Sequence, residues 1–136
     1  MRDSPMRVMF VYHNQVEDGF MPQAIAVLGG MMRDHNIETK LFDTTLYRDK
    51  DSHLARTDRE LRESQAKGGY QKVEGFDHTR EVVDLAGKFY EEVEKYKPDL
   101  IAATSTSFEF GSLTRFILPA KRAFEVPVIV GARMPL

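Results

Sequence analysis

Apolar and polar residues fall into blocks along this chain, and the period of each block predicts an element. Arg7-Val8-Met9-Phe10-Val11-Tyr12-His13 is continuously apolar rather than alternating, which predicts a strand buried on both faces in a parallel sheet. The polar stretch from Asn14 ends in Asp18-Gly19, a turn signal. Pro22 suits the first turn of a helix, and Ala24, Ile25, Val27, Leu28, Met31 and Met32 follow at helical spacing. Gly29 and Gly30 each cost such a helix about 1 kcal/mol relative to alanine. Close approach of another backbone would explain them, as would simple tolerance. Asn36 is a stop signal, and Ile37 to Asp43 alternates as a strand, with Ile37, Thr39, Leu41 and Asp43 on one side.

Residues 44–78 break the rhythm. Asp49-Lys50-Asp51-Ser52 leads into a strongly polar stretch, Leu54 to Lys67, in which Leu54, Ala55, Leu61 and Ala66 are the apolar positions. A helix there would be exposed, with a thin apolar stripe. Gly68-Gly69 ends it, and Tyr70 to Asp77 reads as loop. Such an excursion is either a lid or partner surface, or a solvated insertion.

Thr79 then opens a helix in this reading, with Glu81 favouring its N-terminus. Val82, Val83, Leu85, Ala86, Phe89, Tyr90, Val93 and Tyr96 give it a wide apolar face, and Pro98 ends it. Asp99 to Thr104 is a second buried strand, running into Ser105-Thr106-Ser107-Phe108-Glu109-Phe110-Gly111. Ser112 is placed to cap a helix from Leu113 to Phe124, which Pro119 should kink. Val126 to Gly131 is the last strand, with Pro127 tolerable near its start.

Alternation of strands with helices predicts an α/β fold, a doubly wound parallel sheet. Right-handed crossovers give four strands in the order 2-1-3-4. Residues 1–136 read as a single domain with a polar excursion at 44–78. A fourth strand so near the end would leave a bare edge, so the unit is expected to be cut short before a fifth strand.

Composition narrows the function classes. The 136 residues fit one domain. Lys plus Arg is 19 and Asp plus Glu is 21, so coating a nucleic-acid duplex has no electrostatic support. Apolar runs are far shorter than a membrane span and no secretory segment follows the start, which makes the cytoplasm the default expectation. There is no cysteine, which excludes disulfides, thiol nucleophiles and a cysteine-held iron–sulfur cluster in this sequence.

Ligands of open parallel sheets bind beyond the carboxyl ends of the strands, near the switch in strand order. The groups placed there are His13-Asn14-Gln15, Asp43-Thr44-Thr45, Thr104 to Ser107 and Gly131-Ala132. They offer hydroxyls, amides and small residues, but no evident general acid–base pair. GxGxxG, GxxxxGK[ST] and GxSxG are all missing. Ser105 and Ser107 read as binding or capping groups rather than nucleophiles. The four histidines are His13, His35, His53 and His78. His35 sits at a helix end, His53 and His78 flank the excursion, and none forms a metal-binding pair. His13 ends a buried strand at the predicted site, where it either holds neighbouring groups in place or ligates a metal directly.

These pieces in this order resemble the N-terminal cobalamin-binding domain of cobalamin-dependent radical S-adenosylmethionine enzymes. The resemblance rests on Arg7 to Tyr12, Pro22 leading into Ala24 to Leu28, Glu38 to Asp43, Lys97 to Ala102, Ser105-Thr106-Ser107 and Val126 to Gly131. It implies a flavodoxin-like sheet with cobalamin over the strand ends. His13, Asn14, Gln15, Asp43, Thr44, Ser105, Thr106, Ser107, Gly131 and Ala132 would then be the cofactor-binding residues. Ser105 and Ser107 would line the pocket of the nucleotide tail. Gly131-Ala132 stands where the family has a glycine pair, so the second glycine is replaced. The methionine-synthase motif DxHxxG is absent: His13 takes its Asp position, Gln15 its His position and Asp18 its Gly position. That departure implies cobalamin held without a histidine ligand. A CxxxCxxC motif is needed for the radical half and is missing here. The iron–sulfur cluster and S-adenosylmethionine would therefore belong to a downstream catalytic domain of the same polypeptide, and this chain would have no turnover of its own.

Two other readings stay open. A flavin binder would need hydroxyl residues after the first strand, where Glu17 and Asp18 stand instead. A cofactor-free interaction or regulatory domain of the same fold would use the polar excursion as its partner surface.

Overall fold

A computed structural model describes residues 4–15, 22–51, 81–106 and 109–133. The main sheet is parallel and holds β1 (Arg7–Tyr12), β2 (Glu38–Asp43), β5 (Leu100–Thr106) and β6 (Val128–Arg133), in the order β2-β1-β5-β6. This is the predicted 2-1-3-4 order and a flavodoxin-like arrangement. A two-stranded parallel ribbon lies outside that sheet, made of β3 (Tyr47–Asp49) and β4 (Glu81–Val83). Three helices complete the described residues: α1 (Gln23–Asp34), α2 (Leu85–Tyr96) and α3 (Phe110–Phe124). None of them is long and apolar enough to cross a membrane.

The ribbon corrects the sequence reading twice. Residues Tyr47–Asp49 belong to a strand, not to a polar excursion. Glu81–Val83 is the partner strand, not the first turn of a helix. The helix starts at Leu85, where the Asp84 side chain accepts from the Gly87 amide and caps the first turn. The predicted exposed helix at Leu54 to Lys67 lies outside the described residues.

The two faces of the main sheet are covered unequally. On one face Met9, Val11, Phe42, Ile101 and Ala103 pack beneath Leu85, Phe89 and Val93 of α2 and Leu113, Phe116, Ile117 and Ala120 of α3. The rings of Phe42 and Phe116 stand 5.1 and 5.3 Å from that of Phe89, edge to face, at the centre of this core. The opposite face buries Val8 and Phe10 under Ile25 of α1. There Val27, Leu28 and Met31 stay exposed, and Ile129, which pairs in register with Ala102 on that face, is 61% exposed. A Cβ built on Gly29 or Gly30 meets nothing within 4 Å, so among the described residues no close approach explains these glycines.

Helix ends follow local chemistry. Asn36 takes φ 58° after α1, as its stop signal predicts, and the His35 ring nitrogen Nδ1 donates to the Met31 carbonyl at 2.8 Å. Lys97 takes φ 54° before Pro98 and Glu125 takes φ 52° before Val126-Pro127. α3 begins at Phe110 rather than Leu113, with Glu109 at the cap position, and it contains Pro119. Ser112 is therefore inside the helix and not its cap. β6 runs from Val128 to Arg133, so the strand includes Gly131 as predicted and also Ala132, which the sequence reading places after it.

At the amino ends of the strands, Arg7 ties three elements. Its amide donates to the Asp99 carboxylate at 2.8 Å and its guanidinium to the Tyr96 carbonyl at 3.0 Å. Arg7 and Lys40 both lie over the Tyr96 ring, at 5.8 and 5.7 Å. The Tyr96 hydroxyl is buried with no hydrogen-bond partner among the described residues. Burial, then the charge of Glu38 and the close approach of its carboxylate to the hydroxyl, push the phenol above its usual range; that approach does not reach the geometry of a good hydrogen bond. An orphaned buried hydroxyl is costly while the ring itself is useful. Tyr96→Phe is therefore expected to raise stability by about 1 kcal/mol in urea unfolding. A lowered midpoint would show that the hydroxyl has a partner.

Candidate functional site

The carboxyl ends of β1 and β2 meet the start of α3, and a buried polar network fills the junction. His13 directly follows β1. Its amide donates to the Thr104 carbonyl at 3.1 Å, which keeps it in line with β5. Its ring is 1% exposed and sits 5.1 Å from the Phe116 ring. Nδ1 is 3.1 Å from the Thr44 hydroxyl and Nε2 is 3.1 Å from the Ser112 hydroxyl. Burial lowers its pKa from 6.5 to about 4. The imidazole is thus neutral at physiological pH, donating from one nitrogen and accepting at the other. Hydroxyl partners suit either tautomer, since each can donate or accept.

Thr44 is fully buried and serves two neighbours. Besides His13, its hydroxyl accepts from the Asn14 amide at 2.8 Å. The Asn14 side chain reaches the Thr45 hydroxyl at 3.3 Å. Asp43 accepts from the Thr45 amide at 2.9 Å and caps the 3₁₀ turn Thr44–Leu46 that places these hydroxyls.

Gln15 bonds to several elements at once. Its side-chain amide donates to the Thr44 carbonyl at 2.7 Å and the Tyr47 carbonyl at 2.8 Å. Its side-chain oxygen accepts from the Asp49 amide at 3.1 Å. Its backbone amide donates to the Glu109 carboxylate, and its carbonyl accepts from the Arg48 guanidinium. Arg48 and Glu109 are 7% and 6% exposed, so two side chains of opposite charge type are buried against the two backbone groups of one residue. Buried charges persist where they are paired or hydrogen-bonded.

The structure joins His13, Asn14, Gln15, Asp43 and Thr44 into one constellation. Ser105 is buried in β5 and pairs in register with Ala132, while Thr104 pairs with Gly131. Gly131 is exposed, and among the described residues a Cβ there would meet nothing within 4 Å. Thr106 ends β5 opposite Arg133. Ser107 lies outside the described residues. The sequence reading missed Arg48, Glu109 and Ser112. All three act through contacts 33 or more positions away, beyond local pattern, and a charged residue in a run of polar ones gives no sign of burial.

Both His13 ring nitrogens face hydroxyls, and the Gln15 side chain is committed to main-chain partners. Neither is positioned as a metal ligand. Among the described residues no group of three or more histidine, aspartate or glutamate side chains could hold a metal ion. What the network can do is hold a rim of backbone and small side chains in one shape over the strand ends.

No protein-family model matches the chain, and no curated protein does. Among solved structures it is similar to TsrM, a radical S-adenosylmethionine methyltransferase from Kitasatospora setae, determined with a tryptophan substrate and a SAM analogue bound. The TM-score is 0.54 at 18% identity. The likeness is one of fold. It covers 93% of this chain and 19% of that one, so the chain spans about a fifth of the length of this neighbour.

Proposed function

We propose that this chain is a cobalamin-binding module of a radical S-adenosylmethionine enzyme and holds the cofactor without a histidine ligand. The observation that carries this reading is the strand-end network, in which His13 and Gln15 are both consumed by internal hydrogen bonds. A corrin lying on that rim would find a rigid polar floor and no imidazole. The fold shared with a segment of a radical S-adenosylmethionine methyltransferase supports the same reading. His13, Asn14, Gln15, Asp43 and Thr44 would shape the floor. Ser105, Thr106, Ser107, Gly131 and Ala132 would border the nucleotide tail, and among the described residues nothing stands within 4 Å of a Cβ at Gly131. Bound cobalamin would supply an organometallic centre for methyl transfer or rearrangement. The residues of this chain would bind and orient it. The iron–sulfur cluster, S-adenosylmethionine and substrate would sit on a downstream catalytic domain, and the exposed apolar side chains of α1 are a surface for docking it.

That same exposed stripe favours the second reading, a cofactor-free interaction or regulatory domain. One experiment separates the two. The purified chain is mixed with hydroxocobalamin, desalted, and its visible spectrum recorded. Retained absorbance near one corrin per chain is expected, with band positions that show no imidazole on cobalt. Ser105→Leu and Gly131→Val are expected to weaken retention by intruding on the tail pocket, and equal retention in both would remove that assignment. A colourless protein fraction would favour the interaction domain.

A further inference from the structure

The ribbon of β3 and β4 lies outside the main sheet, packs Tyr47 and Val83 against the main core, and is hydrogen-bonded to the strand-end rim by Gln15. Three of the hydrogen bonds of the Gln15 side chain reach Thr44, Tyr47 and Asp49, so they span the lead-in and the length of β3. Arg48, at the centre of β3, returns a bond to the Gln15 carbonyl. β4 is then held to β3 by the strand pairing and by the Lys50 amide on the Val83 carbonyl at 2.8 Å. On its other side the Gln15 amide is anchored to Glu109 at the start of α3. Only a side chain of this length with two donors and one acceptor makes this set of bonds. Glutamate would set a charge against two carbonyls, and asparagine is one methylene shorter.

We infer that Gln15 and Arg48 are positioning residues that make the β3–β4 ribbon part of the strand-end site, so that ribbon order and ligand occupancy are linked. The inference rests on the reading of the strand ends as a binding site. Linkage is reciprocal: a ligand that fixes His13 to Gln15 must stabilise the ribbon, and loosening the ribbon must weaken the ligand by the same factor. A residue acting only through global stability would produce no such localised effect.

Amide hydrogen exchange and hydroxocobalamin binding on the whole chain test this together. In Gln15→Ala, exchange is expected to accelerate at residues 47–50 and 81–83 while Val8 to Val11 stay protected. Affinity for hydroxocobalamin is expected to fall on the order of tenfold or more, as for other residues that orient a bound group. Arg48→Lys should restore most of the protection that Arg48→Met loses. The core variant Ile101→Val lowers stability without touching the network, and its affinity should match the wild type. Equal exchange at 47–50 in Gln15→Ala and wild type would overturn the inference. So would equal affinity losses in Gln15→Ala and Ile101→Val. If the wild type retains no hydroxocobalamin, the cofactor reading fails. The exchange comparison then still decides whether Gln15 holds the ribbon.

Discussion

Lowering the pH from 7 to 4 is expected to cost this fold about 3 kcal/mol through His13 alone. Burial holds the folded imidazole neutral and takes its pKa from 6.5 to about 4. In the unfolded chain the ring is solvated and takes up its proton near 6.5. Between those two values the unfolded state binds a proton that the folded state refuses. Stability therefore rises with pH across this window. The contribution is fully present above about pH 6.5 and is lost as the pH falls towards 4. Below that, the folded protein must carry an imidazolium between two hydroxyls and the Phe116 ring. Urea unfolding of wild type and His13→Gln at a series of pH values isolates the effect, because carboxylates elsewhere titrate in both proteins and cancel. The difference between the two should slope through this window and flatten above it. Direct titration of the wild-type imidazole by NMR gives the same answer without a variant. A His13 pKa near 6.5, or parallel profiles for the two proteins, would show that the ring is not sealed from water.

The scaffold around this histidine was legible in the sequence to the extent that its cause is local. Continuous apolar runs marked β1, β5 and β6, because a strand covered on both faces has no polar side to alternate. Strand order then followed from connection length and handedness. Where two local signals competed, the stronger periodicity misled. Val82 and Val83 extend the apolar face of Leu85, Phe89 and Val93 backwards by one turn, and so hid both the β4 strand and the Asp84 cap. The strand-end residues could be named from topology, but their roles could not. Ser112 has the residue type of a cap and was read as one, yet its hydroxyl meets His13 from 99 positions away. Arg48 looks like a surface charge in a polar stretch, and only the folded chain brings it to the Gln15 carbonyl. Long-range hydrogen bonds leave no periodic trace, so the network that shapes the site was the least legible part of the protein.

The link between core and site predicts the second large effect. Phe116→Ala is expected to cost about 4 kcal/mol, the usual range for truncating a buried phenylalanine. It should also raise the pKa of His13 towards 6.5. Phe116 is 1% exposed and belongs to the aromatic cluster with Phe42 and Phe89, while its ring also lies against His13 at 5.1 Å. Removing it opens a cavity directly beside the imidazole, where a water can find Nδ1, Nε2 and their hydroxyl partners. Desolvation is the cause of the low His13 pKa, so hydration of that cavity must reverse it. Phe116→Val gives the same direction at lower cost should alanine leave too little stability to measure. Phe89→Ala is the contrast. It removes as large a ring from the same cluster, but among the described residues its ring meets those of Phe42 and Phe116, while His13 lies against Phe116. Its stability loss should be similar and its His13 pKa close to the wild-type value. An equal rise in both variants would mean that His13 reports general loosening of the core. A rise confined to Phe116→Ala would show that one core side chain keeps the histidine dry and neutral.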